Sequence, residues 1–172
     1  GSVTTDAPEF TEAKKEVEDR LEKLMNIKGE RTVDSFHREL GNIMWDYCGM
    51  ERTKEGLEFA LKRIPEIRDE FYTNVRIPGD TNELNQELEK AARLADFFEF
   101  AELTCCDALN REESCGGHFR AESQTEEGEA MRHDDEYQYV AAWEWTGEGH
   151  KPTLHKEPLV YKSIQVKQRS YK

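Results

Sequence analysis

Long apolar runs are missing from this 172-residue chain: 36% of residues are hydrophobic and 35% are charged. No stretch reads as a membrane span, and a core has to be assembled from narrow stripes on amphipathic helices. Positive charge is also short, with 24 Lys and Arg against 37 Asp and Glu and a formal net charge of −13. A nucleic-acid backbone or an anionic lipid surface would repel most of such a molecule, so neither is expected as a partner. Cysteine is sparse, four in all (Cys48, Cys105, Cys106 and Cys115), with no CxxC pair, which fits a reducing compartment. The chain carries no GxGxxG after a strand, no GxxxxGK[ST] loop, no GxSxG elbow and no HExxH pair. A catalytic apparatus of its own is therefore not expected. At the start, Ala7-Pro8-Glu9-Phe10 runs straight into charged residues without an apolar h-region, and Gly1-Ser2 reads as a cloning remnant.

What is present is helical grammar. Val17, Leu21, Leu24 and Met25 recur on one helix face, with Thr11 as N-cap and Gly29 as stop. A second helix is predicted from Thr32 or Asp34 to Gly49, with Phe36, Leu40, Ile43, Met44 and Tyr47 on its apolar side. A third starts at the capping residue Thr53 and carries Leu57, Ala60, Leu61, Ile64, Ile67 and Phe71, with a kink or break expected before Pro65. The fourth and longest is predicted from a capping box of Asp80 and Glu83 through Leu84, Leu88, Ala91, Ala95, Phe98, Ala101, Cys105 and Leu109.

After Asn110 the 3.6-residue period ends. Tyr137, Tyr139, Ala141, Trp143 and Trp145 alternate with Gln138, Val140, Ala142 and Glu144, the period of a strand, and Thr146-Gly147-Glu148-Gly149 supplies a turn. Leu154 and Leu159 to Tyr161 are the candidates for the return arm, restricted to an edge or irregular strand by Pro152 and Pro158. The predicted class is mainly α: an antiparallel helical bundle of three to four helices, then an extended C-terminal tail with a short strand or hairpin. The division expected is residues 1–10 as remnant and lead-in, 11–113 as the bundle and 114–172 as the tail packed on it. Charge is uneven along the tail: Glu122 to Glu136 is mostly acidic, whereas Lys156, Lys162, Lys167, Arg169 and Lys172 make the end basic. That end is either an ordinary solvated surface or a contact for an acidic partner.

Cys115 and His118 have the spacing of half a metal site, which Cys105, Cys106 and His133 would have to complete. The second tight ligand pair of a zinc site is missing, because Cys105 and Cys106 are adjacent on a helix and point about 100° apart. A Cys/His nucleophilic pair is a further reading, although no third group that would orient it can be named. Small, buried or semi-buried cysteines are the favoured reading.

The stretch Arg111-Glu112-Glu113-Ser114-Cys115-Gly116-Gly117-His118-Phe119-Arg120 resembles the R-x-E-S-R-G-x-H-x-R segment of the succinate dehydrogenase/fumarate reductase flavoprotein subunit, near its C-terminus. Arg111, Glu113, Ser114, Gly116, His118 and Arg120 match; Cys115 stands where the family pattern has arginine. Gly49-Met50-Glu51-Arg52-Thr53 is similar to the family's G-x-x-R-T helix junction, and Gln168-Arg169-Ser170-Tyr171-Lys172 to its R-x-Y ending. L-aspartate oxidases and adenylylsulfate reductases share versions of the motif. The resemblance implies a C-terminal helical domain that docks on upstream FAD-binding and capping domains and faces an iron–sulfur subunit. FAD and the chemistry would belong to the parent subunit, with no cofactor and no catalytic or metal residue in this part. It implies a cytoplasmic place, peripheral to the inner membrane. Arg111, Ser114, His118 and Arg120 are its candidates for interdomain contacts. A domain separated from such neighbours should expose an apolar patch. The competing reading is a free-standing acidic helical module that binds a protein partner.

Overall fold

The computed structural model describes residues 4–167, so Gly1-Ser2 and the Arg169-Ser170-Tyr171 ending lie outside the described residues. The elements are α1 (Pro8–Asn26), β1 (Arg31–Thr32), α2 (Val33–Cys48), α3 (Lys54–Asn74), β2 (Val75–Arg76), α4 (Gln86–Asn110), α5 (Asp134–Tyr137), β3 (Tyr139–Glu144) and β4 (Thr153–Pro158). The architecture is mainly α with strands in its C-terminal part, as the sequence predicts. The chain forms two compact units, Gly1–Arg38 with Ile67–Phe97 and Glu39–Glu66 with Phe98–Lys172. Among the described residues no helix is long and apolar enough to cross a membrane.

In the first unit, α1 begins at Pro8, ahead of the expected Thr11 cap, with Ala7 in the N-cap position. Proline is suited to the first helical turn because its fixed φ is helical and its missing N–H would be unpaired there anyway. Of the expected stripe only Leu24 is fully buried, and Val17 is half exposed. Gly29 does not stop the helix, which ends at Asn26. Its N–H reaches the Val75 carbonyl (3.2 Å), and a Cβ on it would lie 1.9 Å from the Asn74 backbone. That approach lets β1 and β2 pair in parallel, Arg31 opposite Val75. Inside, Phe36 meets Phe71 edge-on at 5.5 Å, and the Arg31 guanidinium lies 3.9 Å above the Phe36 ring while pairing with Glu70 at 2.9 Å.

The expected cap of α4 is also displaced. Asn85 caps it, its Oδ1 accepting the Leu88 N–H at 3.0 Å, and its Nδ2 donates to the Pro78 and Asp80 carbonyls. Asp80 holds the preceding turn through the Asn82 N–H, and Leu84 is almost fully exposed. Pro65 does not break α3, which is continuous from Lys54 to Asn74. Proline removes one backbone bond, but Leu57, Ala60, Ile64, Ile67 and Phe71 are completely buried along one face on both sides of it. Burial of that face outweighs one lost hydrogen bond.

The second unit is built on Leu40, Ile43, Leu57, Ala60, Ile64, Phe98, Ala101, Cys105 and Ala108, all buried. Thr53 caps α3 as expected, its hydroxyl accepting the Gly56 N–H at 3.0 Å. β3 and β4 form an antiparallel hairpin with Trp143 opposite Leu154. Along β3, Tyr139, Ala141 and Trp143 are the more buried positions and Val140, Ala142 and Glu144 are exposed, the predicted alternation. Two details differ from expectation. Tyr137 belongs to the short helix α5, and the return arm is Thr153–Pro158, with Leu159 to Tyr161 lying beyond it.

Candidate functional site

The segment after α4 folds back through the second unit, where its charged groups meet the ends of α3 and α4, and Arg52 meets the end of α2. Arg52, in the α2–α3 junction, donates from Nε to the Cys48 and Gly49 carbonyls, both at 3.2 Å. Arg120 donates from Nη1 to the Ala108 and Leu109 carbonyls at 3.0 and 3.2 Å, near the C-terminus of α4. Glu122 does the converse, accepting the Lys54 N–H at the start of α3 (2.6 Å) and pairing with Arg120 Nε at 3.1 Å. Cations at helix C-termini and a carboxylate at an N-terminus complement the helix dipoles and satisfy groups that a helix leaves unpaired. Burial disfavours ionisation of Glu122, yet the Lys54 N–H and Arg120 hold its carboxyl below the usual range.

The turn itself is closed by its main chain: Cys115 N–H donates to the His118 carbonyl (2.8 Å), and His118 N–H donates back (3.1 Å). Gly116 occupies the left-handed region at φ 60°. Ser114, fully buried, bonds Arg120 twice: its hydroxyl accepts the Arg120 N–H at 2.9 Å and donates to the Arg120 carbonyl at 3.1 Å. Residues 119–121 pair with Arg52, whose N–H donates to the Phe119 carbonyl (3.0 Å) and whose carbonyl accepts the Ala121 N–H (2.9 Å).

His118 bridges Arg52 and the main chain of Arg111. Arg52 Nη1 lies 2.6 Å from Nδ1, and Nε2 lies 2.8 Å from the Arg111 carbonyl. Since a guanidinium only donates, Nδ1 accepts and Nε2 carries the proton, which makes the ring neutral. Burial lowers the His118 pKa, reinforced by the charges of Arg52, Arg120 and Arg111; the hydrogen bond to the Arg111 carbonyl offsets part of this. Arg111 pairs with buried Glu113 at 2.7 Å and donates to the Tyr139 carbonyl at 3.2 Å. Glu113 also accepts the His133 N–H at 2.9 Å.

All four sequence candidates thus fall in one array: Ser114 and Arg120 are buried, Arg111 and His118 half-buried. Arg52, Glu113 and Glu122 complete it and were not among the candidates. Arg52 and Glu113 were visible in the quoted motifs, whereas Glu122 had no sequence signal apart from its charge. Both ring nitrogens of His118 are engaged away from Cys115, so the two residues do not form a nucleophile–base pair. Cys105 is buried elsewhere, with its thiol 3.7 Å from Met44 Sδ. Among the described residues no three His, Cys, Asp or Glu side chains are grouped to hold a metal ion.

The array does not fit FAD. A dinucleotide's phosphates require backbone N–H groups at a glycine-rich strand-to-helix turn, or arginines free to reach them. Here Arg52, Arg111 and Arg120 donate to carbonyls and carboxylates of this chain. Chemically, the arrangement fastens backbone to helix ends, and together with the fold it defines a structural helical domain. Residues 37–171 match the family described as "Fumarate reductase flavoprotein C-term". That match covers more than half of the chain, which belongs to this family as the C-terminal domain of the succinate dehydrogenase/fumarate reductase flavoprotein subunit.

Among curated relatives, the fumarate reductase flavoprotein subunit of Proteus vulgaris is 32% identical over 106 residues, covering 62% of this chain and 18% of the relative. L-aspartate oxidase 1 of Ralstonia nicotianae is 38% identical over 84 residues, covering 47% of this chain and 14% of the relative. E. coli quinol fumarate reductase FrdA shares the fold with a TM-score of 0.79 at 24% identity, over 98% of this chain and 27% of that one. The chain therefore spans less than a fifth of the length of these curated relatives.

Proposed function

We propose that these residues are the C-terminal helical domain of an FAD-dependent flavoprotein that interconverts succinate and fumarate, with a structural and docking role. The family match over residues 37–171 carries this reading. FAD, held by upstream domains of the same polypeptide, supplies the hydride exchange. This chain's part is to present a rigid face to those FAD-binding and capping domains and to an iron–sulfur subunit. The complex would be peripheral to the inner membrane, on its cytoplasmic side. The similarity to fumarate reductase structures supports the assembly in kind.

Within that role, Arg111, Ser114, His118 and Arg120 serve the interdomain contact as a unit. The exposed Gly116 and Gly117 form the tip, half-buried Arg111 and His118 its shoulders, and buried Ser114 and Arg120 brace it from below. The 38% identity to an L-aspartate oxidase favours a second reading, the equivalent domain of that enzyme. The test is to express the full-length protein from its native gene and assay succinate oxidation, fumarate reduction and aspartate oxidation, with flavin measured by absorbance before and after acid precipitation. Flavin with succinate or fumarate turnover is expected. Turnover of aspartate alone would establish the second reading, and a protein without flavin would overturn both.

A further inference from the structure

Three sulfur atoms meet between α2 and α4 in the second unit, and the array around His118 uses none of them. Met44 and Cys48 stand four residues apart on α2, so their side chains lie on one face of that helix. The Cys105 thiol of α4 lies 3.7 Å from Met44 Sδ and is hydrogen-bonded to the Cys48 thiol. Cys48 and Cys105 are buried, while half-buried Met44 gives the group a way in from solvent. Charge is arranged to match. Arg52, fixed by its bonds to the Cys48 and Gly49 carbonyls at 3.2 Å, closes the end of α2, and its positive charge favours the ionised form of both thiols. The bond from Cys105 is the chief cause that lowers the Cys48 pKa to about 7, whereas Cys105 is held protonated by that same bond and by burial. The nearby Asp107 carboxylate, which opposes ionisation, accepts the Trp143 indole N–H at 2.7 Å.

We propose that Met44, Cys48 and Cys105 form a three-sulfur binding site for a soft monovalent metal ion of the Cu(I) class. Two thiolates and a thioether are the donor set that selects Cu(I). Among the described residues no third His, Cys, Asp or Glu joins the two cysteines, as a Zn(II) site would require. Spacing fits as well: sulfurs bonded at about 2.3 Å to one metal stand about 3.7–4.0 Å apart in tetrahedral or trigonal geometry. On binding, Cys48 and Cys105 form metal–thiolate bonds and release their protons to solvent, Met44 adds a thioether lone pair, and no electron is transferred. Two thiolates around a monovalent ion leave one net negative charge, which Arg52 offsets.

The experiment is an anaerobic titration of the full-length protein with Cu(I) alone, in competition with a chromophoric Cu(I) chelator. Parent, Cys48→Ala/Cys105→Ala and Met44→Leu are compared, and the reducing conditions keep Cys48 and Cys105 from oxidising to a disulfide. The parent is expected to hold one Cu(I) more than the double variant. The difference between their copper X-ray absorption spectra should show sulfur ligands alone, at about 2.3 Å. Met44→Leu conserves volume and keeps both thiols, so its circular dichroism should be unchanged while its Cu(I) affinity falls by about tenfold or more. If the double variant fails to fold, the comparison with Met44→Leu decides alone. Equal Cu(I) in parent and double variant, unchanged affinity in Met44→Leu, or nitrogen and oxygen ligands in the difference spectrum would overturn the proposal. So would a parent that holds Zn(II) at these residues in preference to Cu(I).

Discussion

Replacing Arg120 with methionine would test whether the array is what fastens the C-terminal segment to the helices. The side chain is 3% exposed. Its guanidinium donates to the Ala108 and Leu109 carbonyls and to Glu122. Hydrogen bonds from a charged donor contribute about 1.5–3 kcal/mol each, but the three are not additive, and Glu122 is partly exposed and keeps its Lys54 N–H. Methionine fills much of the volume, so the loss is chiefly electrostatic: two helix-end carbonyls, of buried Ala108 and half-buried Leu109, lose their donor. An overall cost of roughly 3–5 kcal/mol follows from leaving these two carbonyls without their charged donor. Against a total of about 5–15 kcal/mol, that is a large fraction, and for a chain of this size it lowers Tm by roughly 6–20 °C. The assay is urea and thermal unfolding followed by far-ultraviolet circular dichroism. Arg120→Lys keeps the charge but not the fork and should fall between, while Glu122→Gln, still able to accept the Lys54 N–H, should cost less than about 1 kcal/mol. A methionine variant within about 1 kcal/mol of the parent would refute the reasoning.

Stability should also fall with acid through His118. Its folded pKa lies below the ordinary 6.5, so the unfolded chain binds the extra proton first; the contribution is complete above pH 6.5 and is lost as pH falls below it toward the folded value. Protonation would set a further positive charge against Arg52, Arg111 and Arg120 and end acceptance at Nδ1. Tm measured from about pH 8 to about pH 5 should therefore decline less steeply in His118→Gln than in the parent; parallel curves would count against the neutral tautomer. Among the glycines, Gly29→Ala should be the most damaging, because its Cβ would meet Asn74 backbone at 1.9 Å. Gly116→Ala meets nothing but requires positive φ, at about 1 kcal/mol. Unfolding midpoints in that order check it, and an alanine at position 29 tolerated as well as one at 116 would contradict the close approach.

The helices were legible because burial at a 3.6-residue period leaves a one-dimensional trace: Leu57, Ala60, Ile64, Ile67 and Phe71 were predicted inward and all are completely buried. Helix starts were less so. Asp80 and Glu83 carry the letters of a capping box, but Asn85 wins the position by anchoring at both ends of its amide, to Leu88 on one side and to Pro78 and Asp80 on the other. The array was legible only as a resemblance. Arg52 and His118 are 66 residues apart, and no local period records a contact of that range.

The departure at Cys115 follows from the same geometry. The turn that contains it is held by its main-chain bonds to His118, which any residue can supply, and by the freedom of Gly116 at positive φ. Its neighbours do their work through side chains: the Ser114 hydroxyl bonds Arg120 twice, the His118 ring bridges Arg52 and the Arg111 carbonyl, and Arg120 caps α4. Cysteine in place of the family's arginine therefore leaves the turn and the helix caps intact. What an arginine would add at this half-exposed position is a positive charge on the surface of the turn. The difference at residue 115 thus changes the surface of the turn and not the fold beneath it.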